Sequence, residues 1–83
     1  MNNLENIQRT VIEIINNNME NAILENQIDD DLSQLGMDSI NFIRIVVALE
    51  EVFDIEIPDE YLLITEMNTI TKMVQVIIET LDL

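Results

Sequence analysis

The sequence contains no cysteine, no histidine and no tryptophan, and it has one glycine, one proline and three cationic side chains. Without cysteine no disulfide framework can form, which suits a reducing compartment. Without cysteine or histidine there is no zinc site built on those ligands and no histidine-based nucleophile triad. No apolar run approaches the ~20 residues needed to span a bilayer, so membrane insertion is not expected. The polar, acidic start lacks the basic and apolar regions of a signal peptide, and the expected location is the cytoplasm. The cations are Arg9, Arg44 and Lys72, against 17 carboxylates, for a net charge of −14. Phosphate backbones and anionic lipid surfaces are repelled by such a chain, so nucleic acid is excluded as a partner, whereas a basic protein face is attracted.

What remains is apolar and acidic. Hydrophobic residues make up 48% of the 83 positions, enough for a packed core despite the charge. The length fits one domain over residues 1–83, and the Met1 start is that expected of a complete small protein. So small a core leaves few residues for an elaborate site.

The order of the elements follows from periodicity. Leu4, Ile7, Val11, Ile14 and Ile15 recur at helical spacing and predict a first helix over about 3–17, capped by Asn2 or Asn3 and ended by Asn16-Asn17-Asn18. A long connection over about 18–36 follows, with Ile23, Leu24, Ile28, Leu32 and Leu35 as its pins. Its Asp29-Asp30-Asp31 run invites a calcium loop. Counting from Asp31 puts Leu35 at the fifth position and Phe42 at the twelfth, where a bidentate glutamate belongs, and no metal is expected. A second helix is predicted over about 39–53. A short third helix is predicted from Asp59 to about Ile64, with Tyr61 and Leu62 or Leu63 facing in. A fourth, capped by Thr69 or Asn68, runs over about 70–81 with Ile70, Met73, Val74, Ile77, Ile78 and Leu81 buried; Met67 and Met73 fill gaps. The expected fold is all-α: a small four-helix bundle of three longer helices and one short one, with a long loop between helices one and two.

The second helix carries two apolar stripes. At about 100° per residue, Phe42, Ile45, Val46, Leu49, Val52 and Phe53 form a core face. Ile40, Ile43 and Val47 form a second stripe, about 150° from the centre of the first, flanked by Glu50 on one side and Arg44 and Glu51 on the other. An apolar patch rimmed by charge has the composition of a docking site. The helix starts behind Leu35-Gly36-Met37-Asp38-Ser39-Ile40. Asp38 or Ser39 stands at its N-terminus, where free N–H groups and the helix dipole favour a phosphate ester. No base lies near enough to make Ser39 a nucleophile, and no pair of carboxylates forms an acid–base couple. No catalytic residue is therefore expected. If Ser39 matters chemically, it is as an attachment point.

Those residues, with Val47-Ala48-Leu49-Glu50-Glu51 and Phe53-Asp54-Ile55-Glu56-Ile57-Pro58-Asp59-Glu60, make the chain resemble an acyl carrier protein. The match is close over roughly residues 28–62 and extends to the flanking helices in pattern. The resemblance implies a 4′-phosphopantetheine arm, taken from coenzyme A and placed on Ser39 by a phosphopantetheinyl transferase, with Asp38 helping to hold that enzyme or its metal-bound coenzyme A. The arm's thiol would hold acyl or aminoacyl groups as thioesters. Ile40, Ile43, Val47, Glu50 and Glu51 match the family's docking positions. The implied partners are the transferase, an acyl- or aminoacyl-loading enzyme, and synthase enzymes with basic docking faces, visited by a monomer. Arg44 stands where fatty-acid carriers usually have an acid, and the stretch Tyr61 to Thr69 is slightly longer than theirs. With Met37, these features lean towards polyketide or nonribosomal-peptide biosynthesis, with fatty-acid and D-alanine carriage left open. The rival reading is a non-catalytic acidic interaction module in which Ser39 is only a helix cap.

Overall fold

The computed structural model describes residues 3–19, 22–63 and 66–81. They form three α-helices, α1 (Asn3–Asn18), α2 (Ser39–Phe53) and α3 (Ile70–Leu81), and two single 3-10 turns at Glu25–Gln27 and Asp59–Tyr61. There is no strand among the described residues. The first, second and fourth expected helices therefore stand at their expected places. The third does not: Asp59–Tyr61 closes one 3-10 turn and stops. A segment this short gains too few hydrogen bonds to offset nucleation unless packing holds it. Tyr61 packs partly against the core as expected, but Leu62 and Leu63, one of which is expected to face in, are 37% and 61% exposed and add no such packing.

α1 packs against both α2 and α3, which meet each other far less. Its buried side chains are Ile7, Val11, Ile14 and Ile15, while Leu4, expected on that face, is exposed. α2 contributes Phe42, Ile45, Val46 and Leu49, and α3 contributes Ile70, Met73, Val74, Val76 and Ile77. Val52 was assigned to the core stripe of α2 but is exposed, and Phe53 is only partly buried. Near the end of a helix the bundle no longer covers every position that the period selects. Ile78 and Leu81 are likewise half-buried rather than core. Met67 and Met73 are fully buried, in keeping with their expected role as flexible fillers.

The described residues between α1 and α2 are anchored at several points. Ile23 and Leu32 are buried, Ile28 and Leu35 pack against the core, and Leu24 is exposed, contrary to expectation. The Asn16 side chain accepts from the Ile23 N–H at 2.6 Å. The Leu32 N–H donates to the Asn68 carbonyl at 2.7 Å, and the Thr71 N–H donates to the Ile28 carbonyl at 3.0 Å. Asp31 Oδ1 holds both the N–H and the hydroxyl of Ser33. These two bonds lower the Asp31 pKa, with smaller help from Asn68 and the Lys72 charge and against a small desolvation effect. Of the two caps expected for α3, Thr69 serves: its Oγ1 accepts from the Lys72 N–H at 3.0 Å. Asn2, one candidate cap for α1, lies outside the described residues.

Candidate functional site

The site is built from the turn before α2. Gly36 adopts φ +106, a conformation that L side chains rarely enter, so the one glycine of the chain stands where the backbone needs it. Met37 is buried and its N–H returns to the Leu32 carbonyl at 2.9 Å, which fixes the approach to the helix. Asp38 is extended and acts as the N-cap. Its Oδ1 accepts from the Asn41 N–H at 2.8 Å, while Asn41 Oδ1 accepts, at 3.4 Å, from the Asp38 N–H. This reciprocal pair is a capping box with asparagine in place of the usual glutamate or glutamine.

Ser39 is the first residue of the helix, and it is exposed. Of the two residues that could have capped α2, the structure assigns the task to Asp38. Its carboxylate satisfies the third N–H of the helix and leaves those of Ser39 and Ile40 without an intrahelical acceptor. Among the described residues nothing engages the Ser39 hydroxyl. An exposed, unengaged oxygen beside open N–H donors at the positive end of a helix fits a phosphodiester in sterics and in charge.

Asn41 also ties the site to the rest of the fold. Its Nδ2 donates to the Asn18 carbonyl at 2.7 Å and fastens the start of α2 to the end of α1. The partners lie 23 residues apart, so local spacing gave no sign of this bond. Beside it, between the end of α1 and the start of α2, opens a cleft of about 560 Å³ bordered by Asp38, Asn41 and Arg44.

Down α2, Ile40, Ile43 and Val47 are 62%, 60% and 46% exposed. The second apolar stripe thus lies open to solvent. Arg44 and Glu51 are exposed on its flank. Glu50 is different: it is half-buried, and its Oε2 accepts from the Ile57 N–H at 2.9 Å. Its backbone carbonyl takes the N–H groups of Asp54 and Ile55, which end the helix, with Asp54 in the left-handed region at φ 54. Aspartate tolerates that conformation better than most residues. Glu50 therefore holds the chain that follows α2, a role the sequence reading did not assign to it. Leu62, missed as a surface residue, joins Phe42, Ile43, Val46, Val47 and Glu50 around a mainly apolar pocket of about 200 Å³.

The described helices include none long and apolar enough to cross a membrane. Comparison with known proteins adds the following. The family described as the phosphopantetheine attachment site matches residues 9–77. The acyl carrier protein of Buchnera aphidicola subsp. Schizaphis graminum is 36% identical over 78 residues, covering 93% of this chain and 92% of that protein. The acyl carrier protein of Rickettsia bellii (strain RML369-C) is 31% identical over 78 residues, covering 93% and 85%. That of Wolinella succinogenes is 43% identical over 56 residues, covering 68% and 70%. No solved structure matches the chain.

Proposed function

Since this chain belongs to the acyl carrier protein family, whose prosthetic group is 4′-phosphopantetheine, we propose that the group is attached to the hydroxyl of Ser39. The observation that carries the assignment is the division of roles at the start of α2: Asp38 holds the cap, and Ser39 is exposed with its hydroxyl engaged by none of the described residues. The chain is a carrier and not a catalyst. A phosphopantetheinyl transferase would join the Ser39 oxygen to the pantetheine-side phosphorus of coenzyme A, breaking the pyrophosphate bond and releasing adenosine 3′,5′-bisphosphate and the serine proton. The thiol at the far end of the group then supplies thioester chemistry. This chain's own residues present the attachment oxygen, offer the N–H groups of Ser39 and Ile40 to the phosphate, and dock the enzymes that act on the cargo.

The docking face is Ile40, Ile43 and Val47, with Arg44, Glu50 and Glu51 around it. A partner with a basic rim is drawn by the net charge of −14 and then seats apolar side chains on the stripe. Glu50 contributes with one oxygen already bound to the Ile57 N–H. Tethering makes delivery between docked enzymes independent of the diffusion of free intermediates. The protein works as a single domain, as a monomer, in the cytoplasm. Arg44 on the docking helix favours a discrete polyketide or nonribosomal-peptide carrier over a fatty-acid one. The rival reading, an acidic interaction module with Ser39 as a cap, has its capping oxygen on Asp38 instead.

The test is intact mass after treatment with coenzyme A and a broad-specificity phosphopantetheinyl transferase. Wild type gains one phosphopantetheine, and Ser39→Ala gains none. An unmodified wild type, or a modified Ser39→Ala, overturns the assignment. The rate of modification falls as ionic strength rises and screens a basic partner face, measured by the same mass assay over a salt series. A flat rate would mean that docking is mainly apolar, through Ile40, Ile43 and Val47.

A further inference from the structure

The three cations of the chain are not placed alike. In α1, Arg9 has Glu5 four residues before it and Glu13 four after, the spacing at which helical side chains pair. In α3, the Lys72 charge acts on Asp31 and helps to hold its carboxyl below the usual range. Arg44 has no such neighbour. The residues three and four places away along α2 are Ile40, Asn41, Val47 and Ala48. Asp38, which borders the same cleft, has its Oδ1 committed to the Asn41 N–H. Among the described residues no carboxylate forms an ion pair with Arg44, and its side chain is exposed. Glu51 is its counterpart. It is exposed, and the residues at its pairing distances are Val47, Ala48, Asp54 and Ile55, none of them a cation. It stands in the last turn of α2, where the helix dipole disfavours a negative charge. So neither charge is explained by the helix that bears it. Both lie on the docking stripe. At about 100° per residue, Ile40, Arg44, Val47 and Glu51 fall within about 60° of one another. Val47 separates the two charges, which stand about 10 Å apart along the axis at about 1.5 Å per residue.

We propose that the docking patch of the partner enzyme is charge-mixed rather than uniformly basic: a carboxylate of the partner meets Arg44, a cation meets Glu51, and an apolar side chain between them seats on Val47. The proposal rests on the docking reading of α2. A guanidinium matches a carboxylate with charge-assisted, bidentate geometry. Set against a uniformly basic patch, Arg44 would face its like, which disfavours the complex. The net charge of −14 draws a partner from a distance. At contact, the order cation, apolar, anion decides which partner stays and which way round it lies. A partner turned end for end about Val47 would bring both of its charges against their likes. Glu50, on the other flank of the stripe, gives one oxygen to the Ile57 N–H, so Glu51 is the freer of the two carboxylates. The groove between α1 and α3, bordered by Leu4, Val74 and Ile78, has no comparable pattern. Its one charged side chain is Glu79, which accepts from the Tyr61 hydroxyl.

The test begins by finding the partner. The full chain, with a benzophenone side chain introduced at Val47 or, separately, at Ile40, is photo-crosslinked in the cells that make it, and the crosslinked peptide is sequenced. Capture only supplies the enzyme. That enzyme is then purified and titrated with wild type, Arg44→Glu and Glu51→Arg, with circular dichroism confirming that each chain is folded. Arg44→Glu is expected to weaken binding about tenfold or more, because a like-charge contact replaces an attractive one. Glu51→Arg weakens it in the same direction. Reversing the partner's carboxylate nearest the crosslink restores binding to Arg44→Glu. An Arg44→Glu chain that binds as tightly as wild type, or more tightly as a uniformly basic patch requires, overturns the proposal and leaves the docking face standing. So does a partner in which no carboxylate reversal restores binding. A chain that crosslinks to no protein through either position overturns the docking reading itself, and the proposal falls with it.

Discussion

The two long connections of this small protein are built to opposite ends. The first, between α1 and α2, buries Ile23, Leu32 and Met37 and is bonded to Asn16 of α1 and to the entry of α3 at Asn68 and Thr71. The second, between α2 and α3, buries Ile57 and Met67, is clamped near its start by Glu50, and turns Leu62 and Leu63 outwards. One connection spends its buried apolar side chains on holding the turn before α2 in place. The other leaves Leu62 and Leu63 at the surface, with Leu62 beside the exposed stripe of α2. Loops usually carry function because a scaffold holds them up. Here the first loop belongs to the scaffold and the second enlarges the surface that a partner can meet.

That contrast is sharpest in stability. Leu32 is fully buried, and Leu32→Ala is expected to cost about 2–5 kcal/mol in urea unfolding, enough to unfold much of so small a domain. Leu63→Ala, at a site 61% exposed, should change stability by no more than about 0.5 kcal/mol. Equal losses at the two positions would mean that the second connection is as structural as the first.

A smaller effect separates the neighbours at the start of α2. Asp38→Ala removes the cap and should cost about 1 kcal/mol. Ser39→Ala removes no hydrogen bond among the described residues and should cost less than half as much in the same measurement. A larger loss at Ser39 than at Asp38 would return the capping role to the serine.

The smallest effects are in pH, and they run in opposite directions. Asp31, in the first connection, has its pKa lowered by the two bonds from Ser33 and to a lesser degree by Asn68 and Lys72. A lowered folded pKa stabilises above the unfolded value, and that contribution is lost as pH falls through the folded one. Tyr61, in the second, is raised above 10.0, first by the charge of Glu79, then by its 3.2 Å hydrogen bond to that residue, with lesser pushes from burial, Glu60 and Glu66. A raised folded pKa stabilises below the unfolded value and is lost as pH climbs through the folded one. Tyr61 is the chain's one tyrosine, in the absence of tryptophan, so near-ultraviolet absorbance reads it alone. Glu79→Gln should bring its titration midpoint down, and Asp31→Asn should flatten the acid side of the unfolding curve. An unmoved tyrosine midpoint would mean that Glu79 does not touch the second connection in solution.

Much of this arrangement was legible beforehand, and the failures share a cause. α2 and α3 stand at their expected bounds and α1 runs one residue further, because three-and-four spacing over a dozen or more residues is a strong signal. Ser39, Ile40, Ile43 and Val47 emerge as exposed, and the angular reading of α2 had kept the three apolar ones off its core stripe. The errors fall where position within the bundle overrides period. Leu4, Leu24, Val52, Leu62 and Leu63 have core-like side chains at places that no neighbour covers. Period says which residues share a face, and only the packed neighbours say how far that face is covered. Asn41 and Glu50 escaped for another reason. Each satisfies a backbone group well away in sequence, Asn18 or Ile57, and polar side chains that reach across a fold leave no periodic trace.

Separate ownership of two oxygens at the head of α2 has a consequence for turnover. An ester formed on Ser39 takes nothing from the helix, because the bond that starts the helix belongs to Asp38. The bare and the loaded chain can therefore share one shape and nearly one folding free energy. On the proposed attachment at Ser39, adding or stripping the arm is a chemical event without a mechanical one, and a proteolytic system that detects unfolding has no means of telling the idle carrier from the working one.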